Sequence, residues 1–280
     1  MEKIEVTVNG GLSVMSAFFN GRGAAVAMDL PMVTTVWEAG KSQTNTVIQK
    51  TLEFIDKRYR TGMDYSVSIK SMIPMENGMK SSSAMTLSII YALSVINKLN
   101  LEEKCLLRTV AEASIYNGTS VTGALDDICA CYFGGFCLTD NTSMEIIERR
   151  PVDNDPVLVS YSLNGRKSGD IDISSFALYR KRSLEIERHI QRGDIYGAMV
   201  YNGTIISAIN GANMEKVSYF LKHGATHSAQ NGKGPAVFAI FADLDEMDSA
   251  YRDFNESSQG WGIIKSSLTN KGLTSRRVEA

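Results

Sequence analysis

The chain has 280 residues, of which 44% are hydrophobic and 21% are charged. This composition is typical of a folded protein with one large or two small domains, and it excludes collagen-like, low-complexity and intrinsically disordered chains. The formal net charge of −2 provides no basic field that would attract a phosphate backbone, so nucleic acid is not an expected partner.

The N-terminal segment mixes charged and apolar residues and lacks the apolar run of a secretion signal, so we expect a cytoplasmic protein. Residues 81–97 are uncharged but include five serines, which indicates a buried helix rather than a membrane span. Cys129, Cys131 and Cys137 lack the paired spacing of a zinc site and lie among apolar residues. We therefore predict free, buried thiols, and neither a membrane nor a zinc ion as a partner.

Hydrophobic spacing in the first half of the chain predicts strands at 4–8, 23–28, 32–37 and 64–71, with a turn at Pro31. Helices are predicted at 44–58, 81–98, 101–116 and 124–132, and short strands follow at 135–139 and 144–149. This order is typical of an α+β protein rather than of a regular βαβ alternation.

Two prolines and several turn-forming residues gather at 150–156, and we place a domain boundary there, giving units 1–155 and 156–280. The second unit is predicted to hold strands at 157–163, 236–241 and 262–266 and helices at 174–191, 194–209, 214–222 and 245–254. The polar tail after residue 267 is predicted to be loosely held.

Two glycine-bearing segments do not match nucleotide-binding motifs. Gly40, Lys41 and Ser42 end like a P-loop, but the earlier glycine of that motif would fall at Thr35. Residues 21–26 start like a dinucleotide fingerprint, yet a predicted strand follows instead of a helix. The sequence therefore favours neither as a phosphate site.

A third segment, 73–84, lies between a predicted strand and the uncharged helix. A helix N-terminus exposes about four backbone N–H groups without intrahelical partners and favours an anion. Ser81, Ser82 and Ser83 add hydroxyl groups that suit phosphate oxygens or Mg²⁺, and Lys80 adds a positive charge. The alternative is that one serine caps the helix while the others fill space.

Further candidate groups lie beyond this helix. Asp126 and Asp127 open an apolar helix, where they either complement the helix dipole or take part in proton transfer. Glu112, on the preceding predicted helix, is either solvated or a magnesium ligand. A loop with Gly232 and Gly234 is either a hairpin turn or a place where the backbone closely approaches another group.

In this order, the three segments resemble the three signatures of the GHMP kinases, the small-molecule kinases of galactose, homoserine and mevalonate. The phosphate loop of that family, Pro-x-x-x-Gly-Leu-Gly-Ser-Ser-Ala, is matched at Pro74, Gly78, Ser81 and Ser82, with the alanine one position later at Ala84. A Gly-x-x-Asp segment that supplies the catalytic aspartate is matched by Gly123 and Asp126, and a late glycine loop is matched by Gly232 and Gly234.

Departures from the general pattern narrow the resemblance. Lys80 replaces a glycine that is usual in the phosphate loop, and the aspartate segment reads Thr-Gly-Ala-Leu-Asp-Asp. Both variants, together with the Gly-x-Gly-Ala-Ala segment that starts at Gly21, resemble the archaeal-type shikimate kinases, a subgroup of the GHMP kinases. The late loop reads Gly-Lys-Gly-Pro-Ala, which that subgroup tolerates.

The resemblance implies the two-domain α+β GHMP kinase fold, with an N-terminal domain like the second domain of ribosomal protein S5 and a ferredoxin-like C-terminal domain. ATP would lie between the domains. The implied reaction is the Mg²⁺- and ATP-dependent phosphorylation of the 3-hydroxyl of shikimate to shikimate 3-phosphate, on the route to chorismate and aromatic amino acids.

The resemblance also implies roles for individual residues, consistent with a transfer that needs positioning and charge neutralisation. Ser82 and Glu112 would hold Mg²⁺, Lys80 would stabilise the transferring group, and Asp126 would orient or deprotonate the shikimate hydroxyl. Arg22 and Asp29 are further candidates for substrate binding. The residues expected around ATP are Pro74, Met75, Glu76, Asn77, Gly78, Met79, Lys80, Ser81, Ser82, Ser83 and Ala84.

Two other functions remain open from the sequence. A GHMP kinase for homoserine or mevalonate would share the phosphate-binding residues, and only the Lys80 and Leu-Asp-Asp variants speak against it. A non-enzymatic sensor on the same fold would bind a ligand without turnover, and the presence of both Ser82 and Asp126 speaks against that.

Overall fold

Two antiparallel sheets form the framework of the structure, a computed structural model that describes residues 3–39, 45–62, 64–165, 172–211, 213–257 and 260–279. The P-loop-like residues Gly40, Lys41 and Ser42 lie outside these ranges. The first sheet contains β1 (Lys3–Met15), β2 (Arg22–Glu38), β3 (Tyr65–Ser71), β4 (Phe136–Asp140), β5 (Glu145–Arg150) and β10 (Thr274–Val278). The second contains β6 (Pro156–Ser162), β7 (His227–Gln230), β8 (Val237–Ile240) and β9 (Trp261–Ser267).

The first sheet has the order β10-β1-β2-β4-β5, with β3 paired to the far half of β2. Its helices are α1 (Thr46–Tyr59), α2 (Ser81–Ile96), α3 (Glu103–Tyr116) and α4 (Leu125–Phe133), of which α2 and α4 lie directly on β1 and β2. Burial in α2 is continuous from Ser83 to Ile90, which is the buried helix that its uncharged sequence predicts. In the described ranges, no helix is both long and apolar enough to cross a membrane.

The second sheet has the order β7-β8-β6-β9 and separates two cores. Val157 and Val159 of β6 face the large core shared with the first sheet, whereas Leu158 faces a smaller core with Phe220 and Phe254. This alternation follows from the period of two along a strand. The helices of this part are α5 (Arg180–Gln191), preceded by a 3₁₀ helix (Ile173–Tyr179), α6 (Ile195–Asn210), α7 (Met214–Lys222) and α8 (Leu244–Ser257).

The predicted α+β class is confirmed, and so are the free, buried thiols of Cys129, Cys131 and Cys137. The predicted turn at Pro31 is wrong, because β2 continues through it without interruption. Pro31 lies where β2 changes its partner from β4, over residues 22–26, to β3, over residues 32–38. A residue without an N–H donor is tolerated at such a change of partner.

The tail predicted to be loosely held forms β10, which pairs with β1 from Thr274 to Val278. The chain therefore leaves the first sheet after β5, builds the second sheet and returns to the first with its last strand. We propose units 1–155 and 156–280, with β10 contributed by the second unit to the first sheet.

Candidate active site

A cleft of about 330 Å³ opens between the start of α2 and the loop at 231–234. The end of β1 and the segment after it form one wall, and the start of α4 contributes Asp126 and Asp127. Residues at the start of α1 and in the segment after α3 complete the lining, which includes Asn45, Val47, Gly118, Thr119 and Ser120. The cleft thus brings together all three segments that the sequence singled out.

The N-terminus of α2 points into this cleft. Ser81, Ser82 and Ser83 occupy its first turn and line the cavity, and no side chain caps the helix. Their N–H groups have no partner within the helix, so together with the helix dipole they form a site for an anion. Gly78 has a φ of +80°, and a Cβ there would lie 2.8 Å from the carbonyl oxygen of Asn231. The loop before α2 can therefore approach the late glycine loop only with glycine at this position.

Lys80 is the residue that precedes α2, and its φ of +69° lies in the left-handed region. This conformation costs a residue with a Cβ about 1–2 kcal/mol and favours glycine, which explains why the family pattern has glycine here. The lysine ammonium donates to Ser13 Oγ at 2.6 Å and lies 2.6 Å from Asp127 Oδ1. With only 7% of its side chain exposed, Lys80 places a paired positive charge at the helix start.

Asp126 is buried at the start of α4, one residue after Leu125 begins the helix. Asn141 Nδ2 donates to Asp126 Oδ1 at 2.9 Å, while the other face of the carboxyl group lies against Gly23 of β2. Burial, together with the adjacent charge of Asp127, raises the pKa of Asp126 to about 7, although Lys80 and Asn141 act in the opposite direction. A carboxyl group with such a pKa can exchange a proton near neutral pH.

The late glycine loop is fastened to β1 and to the phosphate loop by Asn231, which is fully buried. Its Oδ1 accepts from the N–H of Ser13 at 2.9 Å, and its Nδ2 donates to the carbonyl oxygen of Gly78 at 3.1 Å. Gly232 lies so close to Ser13 that a Cβ on it would be 2.5 Å from Ser13 Oγ. The loop is thus a close approach of backbone to β1 and not only a hairpin turn.

Some of the residues expected around ATP line the cleft, and others support the loop. Met75, Glu76, Gly78 and Lys80 to Ser83 line it. Met79 and Ala84 are buried in the core, and Asn77 exchanges two hydrogen bonds with the backbone of Ser162 in β6. Pro74, Asn77, Met79 and Ala84 are not among the lining residues, so their position fits a supporting role.

The structure does not bring Arg22, Asp29 or Glu112 into the cleft. The guanidinium of Arg22 pairs with Glu187 at 3.1 Å, and the carboxylate of Asp29 lies 2.9 Å from the ammonium of Lys271. Glu112 faces outward from α3, where it pairs with Arg58. Of the two expected magnesium ligands, Ser82 lines the cleft and Glu112 does not. Across the described ranges, no group of three or more histidine, cysteine, aspartate or glutamate side chains is arranged to hold a metal.

Sequence reasoning assigned no role to Ser13, Asn141, Asn231 or Lys233, all of which contact or line the site. The partners of Ser13 and Asn231 are distant in the chain, so no local motif joins them. Lys233 stands inside the late glycine loop, but its spacing gave it no role. One local signal could have pointed to Ser13: it is a polar residue within an apolar strand, between Leu12 and Val14.

Comparison with known proteins agrees with this geometry. The family described as "GHMP kinases N terminal domain" matches residues 45–135, which include the phosphate loop and Asp126. A shikimate kinase of Thermoplasma acidophilum is 35% identical over 273 residues, covering 98% of this chain and 97% of that protein. The chain belongs to the archaeal-type shikimate kinases of the GHMP kinase family. A second member of this family, the shikimate kinase of Pyrococcus furiosus, is 30% identical over 89% of this chain and 95% of its own length.

Solved structures confirm the two-domain GHMP kinase fold. A homoserine kinase from Cytophaga hutchinsonii matches with a TM-score of 0.73 and 16% identity, covering 98% of this chain and 97% of its own. The Methanococcus jannaschii mevalonate kinase matches with a TM-score of 0.72 and 14% identity over 95% of this chain and 98% of its own. At such low identity these matches establish the fold, whereas the family rests on the full-length sequence relatives.

Proposed function

We propose that this chain transfers the γ-phosphoryl group of ATP to the 3-hydroxyl of shikimate, giving shikimate 3-phosphate and ADP. The main observation in support of phosphoryl transfer is that one cleft contains both a helix N-terminus with three serines and the buried carboxyl group of Asp126. The acceptor is supported by full-length relatives named shikimate kinase. The product would feed the route to chorismate and the aromatic amino acids.

The phosphates of ATP would lie over the start of α2. The free N–H groups of this helix and the hydroxyls of Ser81 and Ser83 would bind phosphate oxygens, and Lys80 would neutralise charge on the transferring group. Phosphoryl transfer depends largely on such positioning and electrostatic stabilisation, since the charge is spread over three oxygens in a loose transition state.

The donor set near these phosphates also suits Mg²⁺. Magnesium is commonly held by one or two protein oxygens together with substrate phosphates and water, so it needs no dedicated cage. The Ser82 hydroxyl and the Asp127 carboxylate, both lining the cleft, are the oxygens that would hold it. The ion would neutralise charge on the phosphates. Glu112 could join this set only after release from Arg58, so we do not assign it to the metal.

Asp126 would act on the acceptor. Its carboxylate would accept the proton of the 3-hydroxyl while the hydroxyl oxygen forms a bond to the γ-phosphorus and the bond to the ADP oxygen breaks. The raised pKa of Asp126 suits this exchange near neutral pH. Asn141 would hold the carboxyl group in place through the hydrogen bond at 2.9 Å.

The alternatives receive less support. Homoserine and mevalonate kinases match this chain in fold at 16% and 14% identity, whereas the two shikimate kinases reach 35% and 30%. A sensor without turnover would not require a buried carboxyl group beside the anion site. The free thiols of Cys129, Cys131 and Cys137 support a cytoplasmic location, where such thiols stay reduced.

A coupled assay of ADP release tests the proposal. The purified protein, with ATP and Mg²⁺, is offered shikimate, homoserine, mevalonate or galactose separately, and we expect release with shikimate alone. Asp126→Ala should lower kcat by about 10²–10⁴ with little change in ATP affinity, a typical effect of losing a general base. ADP release with another acceptor would contradict shikimate as the substrate. Full activity of Asp126→Ala would contradict the proposed role of Asp126.

A further inference from the structure

Two lysines stand among the described residues that line the cleft, and within the described ranges one of them has an ion-pair partner. Among the described lining residues, Lys80 and Lys233 are the basic side chains, and no arginine joins them. Lys80 is engaged by Ser13 and Asp127. The described part of the chain offers Lys233 no carboxylate at ion-pair distance, and its ammonium lies 5.0 Å from the centre of the Phe18 ring.

The position of Lys233 is fixed by its backbone. It lies between Gly232, which contacts Ser13, and Gly234, which is hydrogen-bonded to Asn231. The loop itself is tied to β1 and to the phosphate loop through the side chain of Asn231. Because the backbone on both sides of Lys233 is held in place, the ammonium group of its side chain stays within the same part of the cleft.

The lining of the cleft divides into two regions. Asn45, Val47 and residues 118–120 lie beside α1, α2 and α3, which Asn117 joins by bonds to Thr51 and Thr86. Met15, Ala17, Phe18 and Lys233 lie at the end of β1 and on the late glycine loop. The start of α2 and the aspartates of α4 belong to the same cleft. The start of α2 already provides N–H groups for phosphate, and Lys80 provides a cation.

We propose that Lys233 binds the carboxylate of the acceptor and so selects cyclic hydroxy acids over uncharged polyols. This proposal rests on the proposed function, since it assumes that the acceptor is shikimate. The apolar surfaces of Met15, Ala17 and Phe18 suit one face of a carbocyclic ring, and the ammonium beside them suits an anionic substituent of that ring.

Charge balance in the cleft supports this assignment. Burial lowers the pKa of Lys233, and the positive charge of Lys80 acts in the same direction, while the negative charge of Asp127 acts against them. The charge of Asp127 offsets this only in part, since the pKa of Lys233 remains lowered. An arriving carboxylate would supply the missing partner. Arg22, the cation that the sequence suggested for this task, is occupied by Glu187 outside the cleft.

The test compares shikimate with its uncharged carboxamide in the full-length enzyme. For the wild type we expect kcat/KM to be about 10- to 100-fold higher for shikimate, the range of a hydrogen bond to a charged group. Lys233→Met should lower kcat/KM for shikimate by this factor, leave the carboxamide nearly unchanged, and so bring the ratio close to one. KM for ATP should stay within about threefold, and Lys233→Arg should preserve the preference for shikimate.

Lys222→Met, which removes an exposed lysine at the end of α7, is the matched control and should keep the wild-type ratio. Thermal unfolding and binding of a fluorescent ATP analogue show that each variant is folded. If Lys233→Met keeps the preference for shikimate, another group binds the carboxylate and the proposal is wrong. A raised KM for ATP with an unchanged ratio would instead place Lys233 on a phosphate and would also overturn it. If the wild-type enzyme does not turn over shikimate, the proposed function is wrong. This outcome can be told apart from failure of the Lys233 proposal because it is seen in the wild type, without any substitution.

Discussion

Gly23 of β2 lies directly against the carboxyl group of Asp126, and a Cβ at position 23 would be 2.5 Å from Asp126 Cγ. The carboxyl group is buried and fixed on its other side by Asn141, so it has little room to move. The strand that carries Gly23 therefore determines where the proposed base can sit. Glycine is required at position 23 because a side chain would collide with Asp126, and not because of the backbone conformation, which is that of an ordinary strand.

Gly23→Ala should displace Asp126 and reduce kcat by about 10- to 100-fold, since a misplacement of about 1 Å can cost that much. Steady-state kinetics with thermal unfolding checks this, and the variant should remain folded. The control is the same substitution in an Asp126→Ala background, where the added methyl group has room and should cost little further activity. Equal losses in both backgrounds would contradict a role through Asp126.

The features predicted correctly from the sequence have local signals. Helix α2 follows from an uncharged run, and its start follows from a glycine loop and serines. The place of Asp126 at a helix start follows from Gly123, which lies two residues before Leu125, the first residue of α4. That the phosphate loop, Asp126 and the late glycine loop form one site was implied by the family resemblance. The spacing of these residues alone left structural roles open for each of them.

The contacts that the sequence did not indicate join residues that are distant in the chain. The tail at 274–278 was expected to be loose because it is polar, yet it pairs with β1 at the opposite end of the sequence. Glu112 stays a prediction as a magnesium ligand; in the structure it pairs with Arg58 from α1 and does not line the cleft. Neither partner can be found from a period or a motif, since each depends on how strands and helices assemble.

The pKa of Asp126 predicts how activity depends on pH. Because burial and the charge of Asp127 raise it to about 7, the base is increasingly protonated below neutral pH. We expect kcat/KM for shikimate, at saturating ATP, to rise with pH through about 7. Asp127→Asn removes a neighbouring negative charge and should move this rise to lower pH. A flat profile between about pH 5.5 and 9 would contradict proton transfer to Asp126.

The same shift predicts how stability depends on pH. The folded-state pKa of Asp126 lies above its ordinary value of 3.8, so the folded protein binds the proton more tightly and loses stability as pH rises from about 4 to 7. The Asp126→Asn variant cannot ionise at this position, so its stability should not fall with pH for this reason. The free energy of unfolding of Asp126→Asn minus that of the wild type should therefore increase between pH 5 and pH 8 in urea titrations. A difference that falls over this range would show that the carboxylate is stabilised in the folded state.

Lys80 combines an unfavourable backbone with a favourable charge, and two substitutions separate these effects. Lys80→Met leaves Asp127 without its cation and should destabilise the fold by about 1–3 kcal/mol, with a marked loss of kcat. Lys80→Gly loses the same charge but relieves the left-handed conformation, so it should be about 1 kcal/mol more stable than Lys80→Met. Lys80→Met with Asp127→Asn should recover stability but not activity. Urea unfolding and kinetics measure both, and equal stability of the Met and Gly variants would argue against strain at Lys80.

Asn231 should support catalysis by holding the late glycine loop, although it does not line the cleft. Asn231→Ala leaves the N–H of Ser13 and the carbonyl of Gly78 without their partner, and each such loss costs about 1–3 kcal/mol when buried. We expect reduced stability together with a several-fold rise in KM for both ATP and shikimate, because the loop lines the cleft proposed to bind both. The control is Asn213→Ala, which removes one bond to the carbonyl of Pro235 on the far side of the same loop, and it should affect stability more than KM. Unchanged KM values in a destabilised Asn231→Ala would show that this tie serves the fold alone.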